Sequence, residues 1–125
     1  MSDSIAEFFQ GLAQRGKEPL LNRARGTIRF DIADDRKTDR WLVALDRGEV
    51  AVSHKGGAAD CVVAGPKGLF DRIALGRANA MAALLRGEIM IVGDYTLFVL
   101  FQRLFPGPRR RGVQSRAASD ARRQS

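Results

Sequence analysis

The sequence predicts a small α+β domain in which helices cover one face of a five-stranded, mainly antiparallel sheet. Apolar residues recur with helical spacing in the first and last parts of the domain and alternate with polar residues in between. Short polar turns separate the alternating segments, which is typical of antiparallel neighbours in a sheet. With 125 residues, 45% of them hydrophobic, the chain has the length of one domain and enough apolar surface for a core.

The first apolar pattern predicts an amphipathic helix over residues 4–15. Ser4 or Asp3 is expected to cap its start, and Gly16 is placed to end it. The apolar residues at helical spacing form one stripe, which is expected to face the core: Ile5, Phe8, Phe9 and Leu12.

A period of two then predicts four strands, over residues 27–32, 41–45, 50–52 and 60–64. Alternate residues in the first three are apolar, so one face of the sheet is apolar and must be covered by helices. Polar or glycine-rich turns join these strands. Because the connections are short, the four strands are expected to form an antiparallel meander.

Helical spacing returns after Gly65-Pro66, where proline is tolerated in a first turn, and predicts a helix that ends near Gly76. A second short helix is predicted over about 79–86, with Asn79 as its cap. Its inward side chains are expected to be Met81, Leu84 and Leu85.

A fifth strand is predicted over residues 88–92 and a last, strongly apolar helix over residues 95–105. Asp94 suits the cap of this helix, and Pro106-Gly107-Pro108 stops it. The domain is therefore expected to span residues 1–105.

Residues 106–125 form an arginine-rich tail that we expect to be disordered. The chain carries a net charge of +7, but this tail alone has six arginines and one aspartate, so the preceding part is nearly balanced. Three interpretations fit: a solubilising tail, a contact with anionic lipid headgroups, or a contact with nucleic-acid phosphates. The absence of an aromatic residue that could stack on bases argues against nucleic acid.

The sequence contains no pattern that predicts catalysis. Cys61 lacks a cysteine partner and is expected to be a buried apolar residue, and His54, the one histidine, is expected to be a surface residue in a turn. No phosphate-binding loop, zinc-protease motif or serine-hydrolase motif occurs. We therefore expect a protein that is not an enzyme and has no cofactor. A single cysteine and a polar start without a signal-peptide pattern favour the cytoplasm.

An ordered set of segments resembles the sterol carrier protein type 2 family over about residues 5–105. The matching pieces include Phe70 on a helix, Gly76 followed by Asn79, a helix that ends at Leu85, and a terminal apolar helix. The strand segments that fit are GTIRF (26–30), WLVAL (41–45), GEVAV (48–52), ADCVV (59–63) and GEIMIVGD (87–94). The chain ends in Arg123-Gln124-Ser125, which does not fit the terminal tripeptide of the peroxisomal members.

The resemblance implies a hydrophobic tunnel between the sheet and its covering helices, with a hydrophobic small molecule as ligand. Sterols, fatty acyl chains, acyl-CoA and isoprenoid quinones all remain open as ligands. The residues expected to line the cavity come from both layers: Phe30, Trp41, Val43, Val52, Phe70, Met81, Leu85, Ile89, Leu97, Phe101 and Leu104. Ile28 and Val50 are expected beside them, and the terminal helix is expected to form a lid.

The alternative is a non-catalytic interaction domain with a solid core. Apolar stripes occur in every globular domain, so the same residues are also the expected core of such a protein. A ligand cavity differs only in the space that the side chains leave between them.

Overall fold

The computed structural model describes residues 3–106. The predicted arginine-rich tail, apart from Pro106, lies outside these residues. In chain order the elements are α1 (Ser4–Arg15), β1 (Arg25–Ala33), β2 (Thr38–Asp46), β3 (Glu49–Ser53), β4 (Cys61–Pro66), α2 (Lys67–Ala74), α3 (Ala80–Leu85), β5 (Met90–Gly93) and α4 (Tyr95–Phe101). Short 3-10 helices, Pro19–Leu21 and Gln102–Leu104, follow α1 and α4.

Within the described range, the predicted α+β fold with a five-stranded sheet is confirmed. The strand order is β3-β2-β1-β4-β5, and all neighbouring pairs are antiparallel except β1 and β4, which are parallel. The predicted meander of four strands is therefore wrong for β4. Instead of pairing with β3, β4 lies beside β1 at the centre of the sheet.

The outer edge of β3 is already occupied, which explains why β4 does not pair there. Val50 donates its N–H to the carbonyl of Gly16 (2.9 Å), and Glu18 donates to the carbonyl of Gly48 (2.7 Å). The chain that follows α1 thus forms a short bridge along β3, and the next strand must find another edge.

Thr27 and Asp60 fix the start of β4 against β1. The carboxylate of Asp60 accepts the backbone N–H of Thr27 (3.0 Å), and the hydroxyl of Thr27 accepts the backbone N–H of Asp60 (3.0 Å). This exchange sets the parallel register in which Ile28 lies opposite Cys61. The contact joins residues 33 positions apart, so no local sequence pattern predicts it.

All four α-helices lie on one face of the sheet. The sheet residues that point toward them are buried: Ile28, Phe30, Ile32, Trp41, Val43, Leu45, Val50, Cys61 and Val63. α1 packs against α2 and β3, whereas α4 packs against β1 and β4. The core is therefore the layer between this face and the helices, as the alternation of apolar residues predicts.

The start of α1 is held by a residue from another helix. Asp3, one of the two predicted caps, stands at the N-cap position but makes no side-chain cap bond, and Ser4, the other, lies inside the helix. Instead, Asp71 on α2 accepts the backbone N–H of Ile5 (3.0 Å). Asp71 is buried and also accepts a hydrogen bond from the ammonium of Lys67 (2.9 Å), which raises the pKa of Lys67.

Helix and strand ends otherwise lie close to the predicted ones. Asn79 and Asp94 cap α3 and α4 with their side chains, as predicted. β4 runs on to Pro66, which precedes α2 instead of lying in its first turn. The last predicted helix is α-helical only to Phe101 and then tightens into the 3-10 turn Gln102–Leu104. No helix in residues 3–106 has both the length and the apolar character that a membrane span needs.

Replacing Asp71 by alanine is expected to lower the free energy of unfolding by about 1–3 kcal/mol, because the Ile5 N–H loses its buried acceptor. Asp71→Asn is expected to cost less, because the amide oxygen still accepts from Ile5 although the ion pair with Lys67 is lost. Urea unfolding of the three proteins measures the difference. An asparagine variant as unstable as the alanine variant would show that the ion pair, not the helix contact, matters.

Candidate functional site

The structure buries most of the residues predicted to line a cavity, in the layer between the sheet and the helices. Within the described residues, seven of them are buried: Phe30, Trp41, Val43, Phe70, Ile89, Leu97 and Phe101. Val52, Met81 and Leu104 are partly buried and pack against this core. A ligand-binding role for any of them stays a prediction.

Leu85 is the exception, because its side chain is 83% exposed. The prediction that it points inward is wrong. α3 has only six residues and turns Ala80 and Ala83 toward the core. At about 100° per residue, Leu85 lies roughly 200° around the helix from Ala83 and so faces solvent.

Stacked and tilted aromatic rings join α1 to the sheet. Phe9 stacks on Trp41 with ring centroids 5.1 Å apart and lies at the same distance from Phe30. Phe30 in turn contacts Phe101 at 5.1 Å and Phe70 at 6.2 Å. These five rings form one continuous cluster between the two layers, and such pairs add about 0.5–1.5 kcal/mol beyond their buried area.

A second set of rings extends the cluster to the end of the domain. Phe8 on α1 stacks on Phe105 with centroids 4.8 Å apart and meets Phe101 edge-on at 6.3 Å. Phe8 and Phe9 belong to the predicted apolar stripe of α1, but neither they nor Phe105 are among the predicted lining residues. The stripe itself was the available signal, since a helix that covers an apolar sheet must contribute side chains to the same interior.

Among the described residues, no water-sized space adjoins the centre of this ring cluster. Phe30, Val43 and Phe101 have no accessible surface, and a side chain next to a water-sized space would have some. The atoms next to these three side chains are therefore protein atoms. An acyl chain or a sterol can enter this layer only when rings move apart.

A surface depression of about 280 Å³ lies next to this cluster, between the start of α3 and the segment that follows α4. Asn79 and Ala80 line it on one side, and Gln102 and Arg103 line it on the other. Phe105 lines it as well, while its ring packs on Phe8 and Phe101 inside. Phe105 thus separates the depression from the buried rings.

Cys61 and His54 have side chains capable of nucleophilic or acid–base chemistry, and one is buried whereas the other is exposed. Cys61 has no accessible surface on β4, and burial, together with the nearby Asp94 carboxylate, raises the pKa of its thiol to about 11. His54 is exposed, as predicted, but its ring stacks on Trp41 at 4.2 Å, nearly parallel. Within residues 3–106, no group of three or more potential metal ligands comes together.

Cys61 is expected to resist alkylation by iodoacetamide at pH 8 in the folded protein. A thiol with a pKa of about 11 holds less than about 1% thiolate at that pH, and the reagent must also reach a buried atom. In urea the thiol should react at the rate of a free cysteine. Mass spectrometry of the alkylated protein measures both rates. Rapid labelling of the folded chain would contradict a buried thiol with a raised pKa.

Comparison with solved structures gives several matches in fold. The palmitated SCP2L2 of Aedes aegypti has a TM-score of 0.66 and 19% identity, over 83% of this chain and 94% of that one. Sterol Carrier Protein-2 of Aedes aegypti, in complex with palmitate, has a TM-score of 0.62 and 21% identity, over 82% and 94%. A UbiJ-SCP2 ubiquinone synthesis protein has a TM-score of 0.60 and 17% identity, over 80% and 90%.

No curated protein matches the sequence. The sequence does match a family model, the SCP-2 sterol transfer family, over residues 6–106. The match covers both layers of the domain, from α1 through the 3-10 turn after α4. Since it extends over most of the chain, the protein belongs to the SCP-2 sterol transfer family.

Proposed function

We propose that this domain is a non-catalytic lipid carrier that holds a fatty-acyl, sterol or isoprenoid-type ligand between its sheet and its helices. The observation that carries the proposal is the family match together with two fold relatives whose structures contain palmitate. The aromatic cluster between α1, α4 and the sheet supports it, because this layer offers apolar contacts without a polar group that would need a partner.

The energetics favour a ligand with a long apolar chain. Burying a methylene gains about 0.8 kcal/mol, so an acyl chain of palmitate length gains on the order of 10 kcal/mol before the costs of immobilisation and of moving rings. A short carboxylic acid gains too little to displace packed aromatic side chains. Selectivity is then governed by chain length and bulk.

Phe105 is proposed as the gate between the surface and the ligand layer. It lines the depression beside α3 and contacts the rings of Phe8 and Phe101. It also follows the 3-10 turn, whose last residue Leu104 is only partly buried. This replaces the expected lid: α4 itself packs on the sheet with Leu97, Phe98 and Phe101 buried.

The second candidate function is a protein-interaction domain whose interior never opens. The enclosure of the central rings favours it, because Phe30, Phe98 and Phe101 have no accessible surface. Native mass spectrometry of protein purified under mild conditions separates the two. A co-purifying hydrophobic mass supports the carrier, and a chain that stays free of ligand even after lipids are offered supports the closed core.

Delipidated protein is expected to bind one palmitate per chain and to leave butyrate unbound at the same concentrations. The single tryptophan, Trp41, reports binding because it stacks on Phe9, which must shift when the ring cluster opens. Titration followed by Trp41 emission, with native mass spectrometry for stoichiometry, measures both. Equal responses to the two acids, or no response to either, would contradict a carrier of long chains.

Phe105→Ala is expected to speed release of a fluorescent fatty acid at least about threefold, because it removes the ring that closes the depression. Leu12→Ala is the matched control, since Leu12 is fully buried on α1 and its truncation also costs core packing, about 2–5 kcal/mol. Stopped-flow transfer from protein to vesicles gives both release rates. Equal acceleration in the two variants would assign the effect to lost stability instead of a gate.

A further inference from the structure

The depression beside α3 is lined by polar side chains whose hydrogen-bond donors are not used up. Asn79 accepts the backbone N–H of Ala82 with its side-chain oxygen (2.8 Å), which leaves the NH2 group of its amide free to donate. In the described part of the chain, neither the side-chain amide of Gln102 nor the guanidinium of Arg103 meets a hydrogen-bond partner. None of the described residues that line the depression is acidic. The depression therefore offers several donors and one positive charge.

The chain segments on both sides of this depression add to its positive charge. Residues 72–87 contain three arginines and residues 95–106 contain Arg103, and neither stretch has an aspartate or a glutamate. One of the four, Arg86, is paired with Glu88 (3.1 Å), whereas the described residues supply no acidic partner for the other three. The summed field of unpaired arginines raises the concentration of anions near the depression.

The layer between the sheet and the helices offers no place for a charged headgroup. Its buried residues are apolar, and the one buried charged side chain among the described residues is the carboxylate of Asp71, which is itself negative. Moving an ionised carboxylate into apolar surroundings without a partner is costly. An anionic amphiphile whose chain enters this layer must therefore leave its charged group at the surface.

We propose that the depression beside α3 holds the carboxylate of a long-chain free fatty acid. Arg103 is its ion-pair partner, and the amides of Asn79 and Gln102 are further donors. This site, which rests on the proposed carrier function, narrows the ligand to an anionic amphiphile. Phe105 lies between the depression and the buried rings, so a chain that passes Phe105 leaves its carboxylate in the depression. Hydrogen bonds between a guanidinium and a carboxylate are stronger than those between neutral groups.

The ion-pair partner and the gate belong to the same short turn. Arg103 is the middle residue of the 3-10 turn Gln102–Leu104, and Phe105 donates its backbone N–H to the carbonyl of Gln102 (3.2 Å). A carboxylate at Arg103 thus lies next to the ring that must return for the layer to close. Sterols, isoprenoid quinones and acyl esters have no such charge, so we expect them to bind more weakly than a free acid of equal apolar area.

Palmitate and methyl palmitate test the proposal, because they have the same chain and differ in the charge of the headgroup. Both are offered to the delipidated full chain from cyclodextrin, and binding is followed by Trp41 emission and native mass spectrometry. The native protein is expected to bind palmitate at least about tenfold more tightly than the ester. Arg103→Gln should weaken palmitate binding about tenfold and leave binding of the ester unchanged.

Arg72→Gln is the matched control, since it removes the same charge from an exposed side chain on α2 that does not line the depression. It should bind both ligands like the native protein. Equal weakening by the two glutamine variants would assign the preference to net charge, and a preference that survives in Arg103→Gln would exclude the site. Equal affinities of the native chain for the two ligands would leave the carrier function standing but overturn the carboxylate site. Binding of neither ligand would contradict the carrier function itself.

Palmitate labelled with ¹³C at its carboxyl carbon reports the headgroup directly. A neighbouring guanidinium favours the ionised form, so the pKa of the bound carboxyl group is expected to be lower in the native complex than in the Arg103→Gln complex. Acid titration followed by the ¹³C chemical shift measures both. Identical titration curves would mean that the carboxylate lies elsewhere and would overturn the proposal.

Discussion

The contact of Asp71 with the backbone of Ile5 holds α1 in place, and the ring contacts of the interior depend on where α1 lies. α1 brings Phe8 and Phe9 over the sheet, where they meet rings from β1, β2 and the end of the domain. A buried carboxylate is costly unless its oxygens are bonded, and here a helix N–H and the Lys67 ammonium satisfy it. This polar contact fixes the start of α1, the hydrogen bond from Val50 to the carbonyl of Gly16 ties its end to β3, and apolar side chains pack between the two.

Local patterns in the sequence were sufficient to predict the elements but not all of their neighbours. Strand β1 and helix α1 could be predicted because each is marked by a pattern of residues a few positions apart. In β1 it is the alternation of Ile28, Phe30 and Ile32, and in α1 it is the helical stripe of apolar residues. The position of β4 depends on Thr27 meeting Asp60 and on the bridge that closes the outer edge of β3. The cap of α1 likewise comes from α2, 66 residues away. Contacts of this kind leave no periodic trace in the sequence.

The same difference between local patterns and long-range contacts applies to the candidate site. Burial of Phe30, Val43 and Phe101 follows from the apolar face of the sheet and of the last helix. The prediction for Leu85 is wrong because α3 has only six residues, half of them alanine, and so has a weak apolar side. The direction of its last leucine is then decided by the exact rotation of the helix. The sequence does not predict the gate proposed at Phe105, because that proposal depends on two contacts, one with Phe8 and one with the depression beside α3. The family match defines the layer in which a ligand is sought, and the ring contacts define what must move.

The parallel pairing of β1 with β4 has a consequence for how the chain folds. β1, β2 and β3 are joined by short turns and can form early as a hairpin sheet, whereas β4 joins β1 only after a loop of about thirty residues has closed. During synthesis from the N-terminus, β1 is thus an open edge strand until residues 61–66 have emerged from the ribosome. In that interval its apolar face also lacks α2 and α4. The nascent chain is most vulnerable to aggregation at this stage, before the strand that will become the centre of the sheet has been enclosed.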